Sequence, residues 1–172
     1  DFMDRARLLC SLGQTVMISN FQEYYKLVEY FSLYSKKRMV LSMGVNNLID
    51  IFDQKYYRHL SGGILEAFGK LFHKDLKVYL YPMLGEDGKL ITSDNLKVHP
   101  RMKELYKFFK YTGKLVDIQN YNPEILNIFS RKVLKMINSG AEGWEPLLPT
   151  VVSNMIKEQQ LFGYPKKEVE IE

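Results

Sequence analysis

Short apolar runs of strand length alternate with longer stretches of helical periodicity, and this order limits the chain to few folds. The strand-like runs are Thr15-Val16-Met17-Ile18-Ser19, residues 38–43 around Met39, Val40 and Leu41, residues 76–81, and Leu115-Val116-Asp117-Ile118. Each is a near-continuous apolar run, the pattern of a strand buried on both faces. Between them lie amphipathic stretches. Tyr24, Tyr25, Val28 and Phe31 fall three and four apart, as do Ile64, Leu65, Phe68, Leu71 and Phe72, and Met102, Leu105, Tyr106 and Phe109. Strand alternating with helix argues for α/β with a mostly parallel sheet between helical layers, a Rossmann-like three-layer arrangement. Gly85-Glu86-Asp87-Gly88 predicts a turn, and residues 89–92 a short edge strand beside it.

Beyond residue 120 the pattern changes to helices alone. Asn122-Pro123 starts a stretch carrying Leu126, Phe129, Val133 and Ile137, which Gly140 stops. A last helix starts near Pro149 and carries Val152, Met155 and Ile156. The expected organisation is an α/β domain over 1–120, a helical extension over 121–164, and a charged, frayed tail over 165–172. Residues 2–12 read as a helix with Cys10 on its apolar side. A helix starting at residue 2 behind an aspartate suggests a piece of a longer protein, so a missing N-terminal region is one expected partner.

Composition removes several function classes. With 46% hydrophobic residues and 26% charged, the chain can bury a core and is not wholly disordered. No run approaches the roughly 20 apolar residues of a membrane-spanning helix, and no membrane partner is expected. The single cysteine excludes a disulfide framework, and with no export signal it favours the cytoplasm. His59, His73 and His99 fall in separate segments without metal-ligand spacing, so no metal is expected. A net charge of +4 in small clusters, with no nucleic-acid motif, argues against a nucleic-acid partner.

In an open parallel sheet, ligands bind outside the carboxyl ends of the strands. Here those ends supply Asn20, Asn46 and Asn47, able to bond polar ligand edges or simply to cap helices. Gly62 and Gly63, after Ser61, let the backbone approach a phosphate at a helix start, or form an ordinary turn. The helix over 21–34 is apolar on more than one face, because Leu27, Tyr30 and Leu33 lie off its main stripe. Such a helix is buried on both sides, and a homodimer is the second partner expectation.

Ile128-Phe129-Ser130-Arg131-Lys132-Val133-Leu134-Lys135-Met136-Ile137-Asn138-Ser139-Gly140 resembles the final motif of nicotinate-nucleotide adenylyltransferases, and Leu148-Pro149, Val152, Ile156 and Leu161-Phe162 repeat the layout that follows it. The resemblance covers about 35 residues. It implies that Ser130 and the helix start hold phosphate, with Arg131 as counter-charge, and that the ligand is ATP or another nucleotide. Phe129, Arg131 and Leu134 stand where that motif has serine, threonine and arginine. The family's His-x-Gly-His does not follow the first expected strand, where Ser19-Asn20-Phe21-Gln22-Glu23 stands instead. The whole chain is also similar to the C-terminal region of an uncharacterised bacterial family labelled nicotinate-nucleotide adenylyltransferase or TonB-dependent receptor. The expected function is therefore nucleotide or phosphometabolite binding within a larger nucleotidyltransferase-like protein, without catalysis by this segment alone. The alternatives are a non-catalytic interaction or dimerisation module and a small transferase.

Overall fold

A computed structural model of the chain describes residues 2–85 and 87–164, so the expected tail at 165–172 lies outside the described residues. The α-helices and strands follow in the order α1 (Phe2–Ser11), α2 (Tyr24–Tyr34), β1 (Val40–Gly44), α3 (Asn47–Ile51), α4 (Gly63–Leu71), β2 (Lys77–Tyr81), β3 (Met83–Leu84), β4 (Leu90–Ile91), α5 (Lys103–Tyr111), β5 (Leu115–Asp117), α6 (Ser130–Ser139) and α7 (Thr150–Gln159). Single 3-10 turns occur at Gln54–Tyr57, Pro100–Met102, Pro123–Ile125, Glu145–Leu147 and Leu161–Gly163. No helix is long and apolar enough to cross a membrane among the described residues.

The described residues divide into two compact units, one spanning 20–126, the other joining those up to Ser19 with those from Asn127 onward. In the first, β1, β2 and β5 form a parallel sheet in that order, so this unit is α/β. Register runs from Val40 opposite Lys77 to Gly44 opposite Tyr81, and from Val78 opposite Leu115 to Leu80 opposite Asp117. β2 alternates: Val78 and Leu80 are buried, whereas Lys77, Tyr79 and Tyr81 on the other face are half-buried. The buried face shares one core with Phe68 and Leu71 of α4, Phe72 just past its end, and Tyr106 and Phe109 of α5. Val28 and Tyr25 of α2 complete it. β3 and β4 pair antiparallel across the expected turn, where Gly88 takes a left-handed φ of 72° and donates to the Gly85 carbonyl at 3.0 Å.

The second unit is helical. Leu8 of α1, Val133 and Ile137 of α6, Val152 and Ile156 of α7, Trp144 and Leu161 form its buried cluster. Trp144 meets the Tyr164 ring edge-on at 5.8 Å, and Lys157 Nζ stands 5.6 Å from its centroid. Gly140 ends α6 in the left-handed region, and the Ala141 N–H closes onto the Met136 carbonyl at 3.0 Å.

Four local expectations are corrected. Residues 15–19 form no strand; no strand pairs with them, and Met17 and Ile18 are 46% and 54% exposed. An apolar run without a neighbour cannot satisfy its backbone as a strand does. The second helix starts at Tyr24 behind Glu23, so Asn20 caps nothing and lies in irregular chain. The stretch from Asn122 breaks: Asn122 caps a 3-10 turn through the Glu124 N–H, and α6 begins only at Ser130 with Phe129 exposed. Cys10 faces solvent, because α1 buries Leu8 rather than the side the cysteine shares.

Candidate functional site

Two clefts flank α3, the short helix that follows the carboxyl end of β1. The chain reaches α3 through a tight step. Val45 is fully buried and donates its N–H to the Tyr81 carbonyl at 2.9 Å, which extends the sheet by one bond. The Asn46 carboxamide folds back over Gly44, where a Cβ would stand only 2.7 Å from Asn46 Oδ1. Asn46 and Asn47 are both exposed at this turn.

The first cleft, of about 370 Å³, has Asn47, Asp50 and Ile51 on one side and the entry to α2 on the other, with Tyr56 and Tyr57 between. Glu23 lines it and is tied to Lys26 at 2.9 Å, a bond that holds its carboxyl below the usual range. The Tyr25 hydroxyl and His59 Nε2 are 3.1 Å apart, and the same nitrogen stands 3.9 Å from Glu23. The Tyr57 hydroxyl donates to the Ile51 carbonyl at 2.8 Å, and burial pushes its pKa up.

The second cleft, of about 300 Å³, lies between the chain around the 3-10 turn Gln54–Tyr57 and the segment ending in Met102. Gln54 Nε2 reaches Met102 Sδ across it at 3.7 Å. Asp53 and Lys55 pair at 2.7 Å, and Asp53 also takes the Lys55 N–H at 3.0 Å, so these two charges neutralise each other. Lys55 holds the Asp53 carboxyl below its usual range, with a smaller contribution from Arg58. Arg58 and Arg101 line the same cleft, and among the described residues neither forms an ion pair. His99 accepts the Arg101 N–H on Nδ1 at 3.3 Å. In the neutral ring that places the proton on Nε2 as a donor. Two guanidiniums and an imidazole thus line one opening, residue types suited to phosphate or carboxylate.

The expected site residues are distributed as follows. Asn47 lines the first cleft with Asn46 beside it in the chain, and Asn20 directly precedes Phe21 of that cleft. Gly62 and Gly63 line neither cleft. The Gly62 N–H donates to Glu66 Oε2 at 3.0 Å, so the chain's own carboxylate takes the place of an anion at the start of α4. That bond, with Lys70 second, holds the Glu66 carboxyl low. Ser130 and Arg131 lie together in the helical unit, along a groove of largely apolar lining. Arg58 and Arg101 were not among the residues expected from the sequence. One signal was present: Arg58 has no acidic residue three or four positions away, so no helical neighbour can neutralise it.

Comparison with known proteins supplies no relative: no family model matches the chain, and no curated protein or solved structure matches it significantly.

Proposed function

We propose that the chain binds a nucleotide or phosphorylated small molecule through its α/β unit, with the phosphate held by Arg58, Arg101 and His99. The observation that carries this reading is the pair of guanidiniums in one cleft that, among the described residues, form no ion pair, the nearby Asp53 being bonded to Lys55. The topology supports it. Three parallel strands in sequence order, joined through helices, are compatible with one βαβαβ half of a Rossmann-like domain. A three-layer form would need helices over the Tyr79 and Tyr81 face as well. Because of the adenylyltransferase resemblance at 128–140, ATP and nicotinate mononucleotide are the first ligands to test. Equilibrium dialysis with both, beside inorganic phosphate, is expected to show saturable, salt-sensitive binding. Arg58→Ala and Arg101→Ala should each weaken it by about tenfold to a hundredfold, the weight of one charge-assisted hydrogen bond. No binding at millimolar ligand, or binding by both variants as tight as by the parent, would sink the proposal.

A second reading is favoured by α2. Phe21, Tyr30, Phe31 and Tyr34 form a surface cluster with Tyr30 at its centre, its ring 5.4 Å from Phe21 and 5.0 Å from Tyr34. Leu33 and Tyr34 are 79% and 73% exposed, an apolar surface typical of a contact between proteins. Sedimentation velocity is expected to show a concentration-dependent dimer that Leu33→Asp abolishes. A monomer at every concentration argues against this reading.

A further inference from the structure

We propose that the helical unit binds a medium-chain fatty acid in the groove formed by α1, α6 and α7, with its carboxylate on Arg131. The groove holds about 630 Å³, within the roughly 300–1,000 Å³ range of small-molecule sites. Each helix gives it an apolar row at helical spacing, and the floor is buried Leu8, Val133, Ile137 and Ile156. The wall is incomplete: Leu9 and Leu12 line the groove yet stay 47% and 39% exposed. Uncovered leucines beside a packed floor are the surface an alkyl chain would cover.

Charge selects the head group. Among the described residues no carboxylate lines the groove, whereas Arg5 and Arg131 do. Arg5 lies over the Phe162 ring at 5.6 Å. Arg131 enters no ion pair among the described residues and sits in the first turn of α6, whose cap residue Phe129 offers no side-chain acceptor. An anion beside Arg131 therefore also meets the positive end of that helix. Length selects the tail, since the part of α6 that lines the groove, from Ser130 to Ile137, spans about 12 Å. That suits a single alkyl chain, whereas a stable protein interface needs about 1,000 Å² or more.

The test uses the intact chain with dodecanoate, dodecanol and dodecyltrimethylammonium, each below its micelle concentration, in titration calorimetry. Dodecanoate is expected to bind saturably and at least tenfold more tightly than the other two. Arg131→Ala should remove that preference while leaving dodecanol binding unchanged. Leu9→Gln, a neutral polar change at a wall position 47% exposed, should weaken all three. No saturable binding of dodecanoate, or equal affinity for all three ligands, overturns the proposal. Retention of the preference in the Arg131 variant does so as well. Phosphate binding by the α/β unit is unaffected by either result.

Discussion

Phe68→Ala is expected to destabilise the α/β unit by about 3–5 kcal/mol, the usual cost of emptying a large aromatic site in a packed core. Phe68 is 2% exposed and stands at the centre of a ring assembly. Phe52, Phe109, Phe72 and Tyr57 lie around it at centroid distances of 4.9, 5.1, 5.7 and 6.2 Å, all at steep interplanar angles. Those neighbours come from the end of α3, the end of α4, α5 and the turn before α4, so no single element can move in to close the hole. Phe72 and Phe109 also stack on each other at 4.3 Å, which fixes them in place. Edge-to-face geometry adds to the burial term at each contact. Urea denaturation checks the value. Phe68→Leu, which keeps most of the volume, should cost clearly less. Tyr111→Ala, at a position 94% exposed, should stay within about 0.5 kcal/mol of the parent. Equal losses in the Phe68 and Tyr111 alanine variants would show that the ring assembly is not the centre of the core.

That core was readable because helix periodicity and strand alternation both report burial. The stripe of Ile64, Phe68 and Leu71 is the buried face of α4, with Phe72 just past its end, and the apolar run at 76–81 contains the middle strand. The same cue misled at 15–19, where five residues look like a buried strand but have no partner. Hydropathy records the desire for burial and not the existence of a neighbour. The first helix shows a related gap. Its apolar face is plain in the sequence, yet nothing local says that Leu8 packs with Val133 and Ile156, more than a hundred positions away. Site residues were harder still. Asparagines and glycines at strand ends announce turns, and at Gly62 the turn's own Glu66 meets the backbone N–H that a ligand would use. Arg58 and Arg101 belong to no motif. They matter through what surrounds them, an Asp53 already satisfied by Lys55 and a cleft shared by two distant segments, and that is visible only once the chain is folded.

Alkaline pH is expected to unfold the α/β unit through two buried tyrosines. The Tyr106 hydroxyl donates to the Ser93 carbonyl at 2.6 Å. Ser93 is itself held by Asp117 at the end of β5, which accepts its N–H at 3.0 Å and its hydroxyl at 2.6 Å. Desolvation, with the Asp117 charge second, raises the Tyr106 pKa to about 12 from the ordinary 10.0. Burial likewise raises Tyr57, with the Glu23 charge second. The fold therefore prefers the neutral phenols. Both groups have folded values above their unfolded ones, so their contribution is complete below pH 10 and disappears as the pH climbs toward 12 and beyond. Each unit of such a difference corresponds to about 1.4 kcal/mol. Circular dichroism against pH should hold steady to about pH 10 and then fall cooperatively. The last tyrosines should ionise in the same step, seen by ultraviolet titration. Tyr106→Phe should lose roughly 1 kcal/mol at neutral pH, because the Ser93 carbonyl gives up a bond. It should also show a shallower alkaline limb, since one late-titrating phenol is gone. Ionisation of every tyrosine near pH 10 with the fold intact would mean that neither hydroxyl is buried as described. An unchanged limb in the Tyr106 variant would leave Tyr57 as the group that sets the transition.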